Sequence, residues 1–110
     1  MPHDPQMLKG VLSLLLLQLC TDAEDYGYNL VLRLQRSGFH DLAEGTVYPA
    51  LTRLESQGHL VAQLVRSSSG PARKYYRPTA AGAVALARAR ADWQSLVEAV
   101  HVALTPEVSS

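Results

Sequence analysis

Polar and basic side chains recur on one side of the segment 44–60, which reads EGTVYPALTRLESQGHL. On a helix with about 100° between residues, the apolar side chains gather on one face. The opposite face then holds Thr46, Tyr48, Pro49, Thr52 and Arg53. Hydroxyl and guanidinium groups hydrogen-bond to phosphates and to base edges. The chemistry that this face predicts is therefore recognition of a nucleic acid.

A second group of basic residues follows in a predicted β-hairpin. The stretches Leu60–Val65 and Arg73–Arg77 are rich in strand-forming residues, and the turn cluster SSSGP lies between them. Arg73 and Lys74 are phosphate ligands in type and position.

The charge of the chain is unevenly distributed, although the 110 residues have a formal net charge of +0. Residues 53–90 hold seven Lys or Arg and a single acid, whereas the segments on both sides have an excess of acids. A zero average argues against nucleic-acid binding, but the basic middle of the chain favours an anionic partner.

Residue types that support catalysis or metal binding show no useful spacing. The four histidines, at positions 3, 40, 59 and 101, are scattered without ligand spacing, and Cys20 is the one cysteine. No nucleophile, base and orienting group can be assembled, and no glycine-rich phosphate loop is present. An enzyme is therefore the weakest class, and we predict no metal or cofactor.

Three helices precede the hairpin. The first is predicted over Pro5–Cys20; its apolar run, 11–17, is far shorter than the roughly 20 residues of a membrane span. The second is predicted over Tyr26–Ser37, with Asp22 or Asp25 as its N-cap. The third is expected to begin near 45–46, which would place Pro49 in its first turn, where a proline costs little.

A last helix is predicted over Ala80–Leu104, with Thr79 as its N-cap. Apolar residues follow at three- and four-residue spacing: Leu86, Trp93, Leu96, Val97, Val100 and Leu104. Such a seam is expected to meet a second helix, most simply its twin in another copy of the chain. The alternative is that the helix folds back on its own domain.

The order of three helices, a hairpin and a long helix predicts a mainly α fold with a small β-hairpin. It is the winged helix-turn-helix plan, in which the third helix enters the major groove and the hairpin, or wing, follows the DNA backbone. We assign residues 1–78 to a DNA-binding domain and residues 79–110 to a C-terminal dimerisation helix with a short tail.

Four stretches of the chain carry a resemblance to the PadR family of bacterial transcriptional regulators. They are LKGVLSLLLLQL, YGYNLVLRL, EGTVYPALTRLESQGHL and GPARKYYRPTAAG, in the order that the family has them. The chain resembles the short members of the family, which have one helix after the wing. It departs from the family pattern at 26–29, where Tyr-Gly-Tyr-Asn replaces His-Gly-Tyr-Glu, and at Pro78 and Ala81.

The resemblance implies a homodimer that binds a palindromic double-stranded DNA operator, often as a repressor released by a small molecule. The DNA-facing positions of the family map to Tyr28, Thr46, Tyr48, Pro49, Arg53, Gly70, Arg73 and Lys74. In similar proteins a tryptophan at the position of Trp93 lines a cavity at the dimer interface and stacks on planar aromatic ligands. Ordinary dimer packing is the alternative role of this side chain. Its expected neighbours are Leu12, Leu16, Leu96, Val97 and Val100.

Two further functional classes stay open on the sequence. The zero net charge also fits a winged-helix module that binds a protein partner through the same surface. The second class is a small-molecule sensor, whose ligand changes the DNA-binding geometry. In each case the sequence predicts a protein of the cytoplasm without a membrane segment, because no targeting segment precedes the first helix.

Overall fold

The computed structural model describes residues 3–107 and consists of four helices and a small sheet. In chain order the elements are α1 (Pro5–Asp22), β1 (Asp25–Tyr26), α2 (Gly27–Arg36), α3 (Glu44–Ser56), β2 (Leu60–Ser67), β3 (Gly70–Pro78) and α4 (Ala80–Leu104). The predicted fold class, a winged helix-turn-helix with a long C-terminal helix, is confirmed. Residues 1–2 and 108–110 of the two predicted domains lie outside the described residues.

The sheet contains a strand that the sequence did not predict. Its order is β1-β3-β2, and all pairs are antiparallel. β1 has only two residues, Asp25 and Tyr26, which pair with Tyr76 and Tyr75 of the wing. A strand of two residues is too short to show the alternation of apolar and polar residues by which strands are recognised in a sequence.

The predicted N-cap of α2 is wrong, because Tyr26 occupies the cap position without a side-chain hydrogen bond. The buried Asp25 instead accepts hydrogen bonds from the backbone N–H of Tyr26, from Nδ2 of Asn29 and from Nη1 of Arg33. Arg33 also donates to the carbonyl oxygens of Leu19 and Ala23, at 2.8 and 3.2 Å. Arg33 thus joins α2 to the end of α1, and the Asp25 carboxylate holds its guanidinium in place rather than capping a helix.

The predicted position of Pro49 in the first turn of α3 is also wrong. The helix begins at Glu44, after Ala43 as N-cap, so Pro49 is its sixth residue. A proline there removes the hydrogen bond to the carbonyl group of Gly45 and crowds it. Gly45 is exposed, and a Cβ built on it meets nothing within 4 Å, so water can reach this part of the helix.

The core lies between α1, α2, α3 and the base of the wing. Its largest fully buried side chains are Leu16, Leu30, Leu34, Val47, Leu51, Leu54 and Leu60. Cys20 is buried among them as a free thiol, and burial raises the pKa of this thiol to about 12. It is therefore protonated at neutral pH and unreactive.

The start of α4 is fixed to the turn that follows α3. The backbone N–H of Thr79 donates to the carbonyl oxygen of His59 at 3.1 Å, and Oγ1 of Thr79 donates to that of Gly58 at 2.6 Å. Oγ1 also accepts from the N–H of Gly82, which confirms Thr79 as the N-cap. A Cβ on Gly82 would overlap the carbonyl oxygen of His59, so the helix approaches this turn as closely as a backbone can.

The two halves of α4 have different environments. Leu86 belongs to the core, whereas every residue from Arg90 to Leu104 is exposed. Arg90 joins α4 to α1 through a 3.0 Å hydrogen bond to Oε1 of Gln18. No helix within the described part of the chain is long and apolar enough to cross a membrane.

Candidate nucleic-acid interface

The two faces of α3 differ as the sequence predicted. Val47, Ala50, Leu51 and Leu54 are buried, which fixes the rotation of the helix about its axis. The opposite face is exposed and carries Thr46, Tyr48, Pro49, Thr52 and Arg53. The hydroxyl and guanidinium groups that the sequence analysis assigned to DNA contact are therefore in solvent, on a helix whose other face is fixed in the core.

Tyr48 lies over the first residue of α2. A Cβ added to Gly27 would come within 2.6 Å of Cε1 of Tyr48, so the missing side chain makes room for the ring. Desolvation, followed by the Glu44 carboxylate, raises the pKa of Tyr48. The phenol therefore stays protonated at neutral pH, as a donor to a phosphate must be.

A cleft of about 290 Å³ lies between α2, α3 and the wing. It is lined by Tyr26, Gly27, Tyr28, Tyr48, Arg73, Lys74 and Tyr76. Four of the residues that the sequence assigned to DNA binding thus share one concave site: Tyr28, Tyr48, Arg73 and Lys74. The other four, Thr46, Pro49, Arg53 and Gly70, lie outside the cleft on α3 and at the wing tip.

Arg73 and Lys74 emerge from opposite faces of β3, since successive strand residues alternate. Arg73 lies over the ring of Tyr26, with 4.5 Å from its guanidinium carbon to the ring centroid. Lys74 donates to Oε1 of Glu55 at 3.0 Å, and this hydrogen bond raises the pKa of Lys74. The two cations therefore have separate partners in the free protein.

The model of the transcriptional regulator PadR-like family matches residues 16–88, which include all of this site. The chain belongs to this family. It is 37% identical over 92 residues to the transcriptional regulator Rv3488 of Mycobacterium tuberculosis, covering 84% of each chain. These relationships make the protein a transcriptional regulator of the PadR-like family rather than an enzyme.

Solved structures of PadR-like regulators have the same fold. The PadR-like transcriptional regulator of Bacillus cereus superposes with a TM-score of 0.82 at 37% identity, over 93% of this chain and 99% of that one. A PadR family regulator of Eggerthella lenta superposes with a TM-score of 0.84 at 34% identity, over 93% of this chain and 88% of that one.

The surroundings of Trp93 correct one set of expected neighbours in this PadR-like regulator. Leu12 and Leu16 are buried in the core, on the side of α1 that faces away from Trp93. The residues of α1 that share cavities with Trp93 include Met7, Val11 and Leu14. The run of apolar residues in α1 concealed this division, because leucines occupy both sides of the helix.

Two of the cavities beside Trp93 are mainly apolar. One of about 450 Å³ extends from Trp93 to Phe39 and the start of α1, and one of about 360 Å³ reaches Leu96. Trp93 is 44% exposed, and Leu96, Val97 and Val100 are exposed beside it. Among residues 3–107 no three histidine, cysteine or acidic side chains form a group that could hold a metal ion.

Four residues in or beside the cleft were not predicted as site residues: Tyr26, Gly27, Glu55 and Tyr76. Glu55 is separated from Lys74 by 19 positions and Tyr26 from Arg73 by 47, so no local spacing connects either pair. Only the three-dimensional fold places them in contact, through the β1-β3 pairing and through the wing, whose strand β2 packs on α3 and pairs with β3.

Proposed function

We propose that this PadR-like regulator is a homodimeric repressor that binds a palindromic DNA operator and is released by a small planar aromatic effector. The observation that carries the DNA-binding part is the continuity of two surfaces. The exposed face of α3 adjoins the cleft that holds Tyr28, Tyr48, Arg73 and Lys74. Groove recognition by a helix needs phosphate ligands at its sides, and this surface supplies them.

The contacts fall into two classes. Arg53 on α3 is directed to base edges or to phosphate, and the short side chains of Thr46 and Pro49 allow the helix to approach the groove closely. Tyr28, Tyr48, Arg73 and Lys74 bind phosphates, while Gly70 lets the wing tip approach the backbone. In this assignment the four residues outside the cleft determine how closely α3 and the wing tip approach the DNA. The four residues inside the cleft bind phosphates and so determine where along the duplex the protein sits.

Dimerisation is supported by the exposed seam of α4. Trp93, Leu96, Val97, Val100 and Leu104 are all exposed, although they recur at helical spacing on one side of the helix. Adjacent apolar residues of this size mark a protein interface. A second copy of α4 covers them with two-fold symmetry, as a palindromic operator requires. Residues 79–110 are thus the dimerisation segment, and residues 1–78 bind DNA.

The effector part rests on the apolar cavities beside Trp93. In the dimer, a planar aromatic compound stacks on the indole ring and changes the angle between the two α4 helices. Such a ligand lowers operator affinity only if it binds the two arrangements of the dimer with different affinities. A regulator with this role acts in the cytoplasm, where a buried reduced thiol such as Cys20 persists.

The decisive experiment is fluorescence anisotropy of the full chain with DNA from upstream of its own gene and with a scrambled duplex, over a salt series. We expect a preference for the upstream DNA and a logarithmic salt slope of about −0.9 per phosphate contact. Arg53→Ala should weaken binding, and Arg88→Ala, an exposed arginine on α4, is the matched control. Equal affinity for both duplexes, or equal effects of the two substitutions, would argue for a protein partner instead.

A further inference from the structure

Tyr26 and Arg73 lie on the same face of the sheet because of the register of β1 and β3. Tyr26 pairs with Tyr75, and Arg73 is two residues before Tyr75 on the same strand. Diagonal neighbours of this kind are within reach of long side chains. The guanidinium carbon of Arg73 is 4.5 Å from the centroid of the Tyr26 ring, well inside the distance of a cation–π contact.

The ring of Tyr26 is itself held in place. It packs against Tyr75 with 5.3 Å between the ring centroids and a tilt of 54°. Tyr26 and Tyr75 are both half-buried, whereas Arg73 is exposed. The tyrosine pair is therefore the ordered part of this contact, and the arginine is the side chain whose position depends on it.

An exposed arginine loses conformational freedom when it binds a phosphate, and this loss lowers affinity. An arginine that already rests on an aromatic ring has lost much of that freedom before it meets DNA. Both Tyr26 and Arg73 line the cleft that also contains Tyr28 and Tyr48. The contact therefore keeps the guanidinium at the border of the proposed phosphate site.

We propose that Tyr26 is a positioning residue for DNA binding, which holds Arg73 on its ring so that the guanidinium meets a backbone phosphate in a preset orientation. This inference rests on the proposed function. Lys74 is not part of it, because Lys74 leaves the opposite face of β3 and contacts Glu55. The dependence on Tyr26 is specific to Arg73.

The test is a double-mutant cycle of Tyr26→Leu and Arg73→Ala in the full chain, measured by the anisotropy of a labelled duplex from upstream of its own gene. We expect Tyr26→Leu to weaken binding about 2- to 5-fold, the range of an exposed cation–π contact. In the Arg73→Ala background the same change should have no further effect, because its one route of action is gone. Tyr26→Phe keeps the ring and should bind like the wild type.

The matched control is Arg77→Ala, which removes an exposed arginine from the same face of β3, two residues beyond Tyr75. Its effect should add to that of Tyr26→Leu. Additive effects of Tyr26→Leu and Arg73→Ala would overturn the positioning role. A loss of affinity in Tyr26→Phe would also overturn it, because the hydroxyl group would then contact DNA directly.

A measurement without DNA separates this proposal from the proposed function. In the free protein, the ring of Tyr26 should shift the side-chain proton resonances of Arg73 upfield, and Tyr26→Leu should abolish the shift. Arg73 resonances at ordinary positions in the wild type would overturn the positioning role, whatever the protein binds. Ring-shifted resonances together with a wild-type protein that binds no DNA would overturn the proposed function, and with it the role in phosphate binding.

Discussion

The Nζ atom of Lys74 lies 3.0 Å from Oε1 of Glu55, so an ion pair joins the wing of the free protein to the last turn of α3. Both side chains are partly exposed, at 50% and 34%. Water screens such a pair, and its contribution to stability is at most about 1 kcal/mol. Its consequence is for binding, because the carboxylate neutralises a proposed phosphate ligand.

Glu55→Gln should therefore strengthen DNA binding. In the wild type Lys74 must leave this carboxylate to bind a phosphate, and Glu55→Gln removes that competition, which we expect to raise affinity about 2- to 5-fold. Anisotropy of the labelled upstream duplex measures the change. Glu98→Gln makes the same change of net charge on the exposed part of α4 and should leave the affinity unchanged. Weaker binding by Glu55→Gln would show that the ion pair orients Lys74 instead of competing for it.

Gly27→Ala should reduce DNA binding without unfolding the protein. The added methyl group would lie 2.6 Å from Cε1 of Tyr48, so the ring has to leave its position beside α2. We expect a loss of affinity of about 3- to 30-fold, the range of one or two displaced hydrogen bonds, with a melting temperature close to that of the wild type. Gly10→Ala, where a Cβ meets nothing within 4 Å, is the control. Unchanged affinity in Gly27→Ala would remove Tyr48 from the interface.

Leu16→Ala should destabilise the fold, as the burial of this side chain in the core requires. Cavity formation in α1 is expected to lower the free energy of unfolding by about 2–5 kcal/mol. Val102→Ala, at a residue 72% exposed, should change it by less than about 0.5 kcal/mol. Denaturant titration followed by circular dichroism measures both variants. Equal effects would contradict the assignment of Leu16 to the core.

Leu96→Glu or Val100→Glu should dissociate the proposed dimer. Each change places an unpaired carboxylate in an apolar interface, which is expected to weaken self-association at least about 100-fold. Sedimentation equilibrium measures the change directly. Val102→Glu is the matched control, because Val102 lies on the side of α4 opposite Trp93. A wild-type protein that sediments as a monomer would contradict dimerisation, and dissociation by Val102→Glu would place the interface elsewhere.

The helices were the most predictable part of the molecule. α4 was predicted over Ala80–Leu104 and has these bounds, because its N-cap, its small residues and its long apolar repeat all indicate the same helix. The two faces of α3 were predicted for the same reason, since Val47, Leu51 and Leu54 define a helical period. Local propensity and burial agree in both elements.

The contacts between distant segments were not predictable. The role of Asp25 depends on Arg33 and Asn29 coming beside it, although the sequence predicted a helix cap there. The position of Pro49 depended on the first residue of α3, and helix ends are the least certain part of any such prediction. The sequence could not show that Leu12 and Leu16 lie in the core while Leu14 lies beside Trp93, because all three residues are leucines. Only packing decides which side of a uniformly apolar helix is covered.

The attachment of Thr79 to Gly58 and His59 has a mechanical consequence. Hydrogen bonds join the end of α3 directly to the start of α4, although the wing separates the two helices in sequence. A helix of 25 residues is about 37 Å long. Its first part, up to Leu86, is anchored in the core, and its longer exposed part carries Trp93. A tilt of the exposed part of α4 would therefore be transmitted through Thr79 to the end of α3. In the proposed dimer, the same motion would change the distance between the two copies of α3.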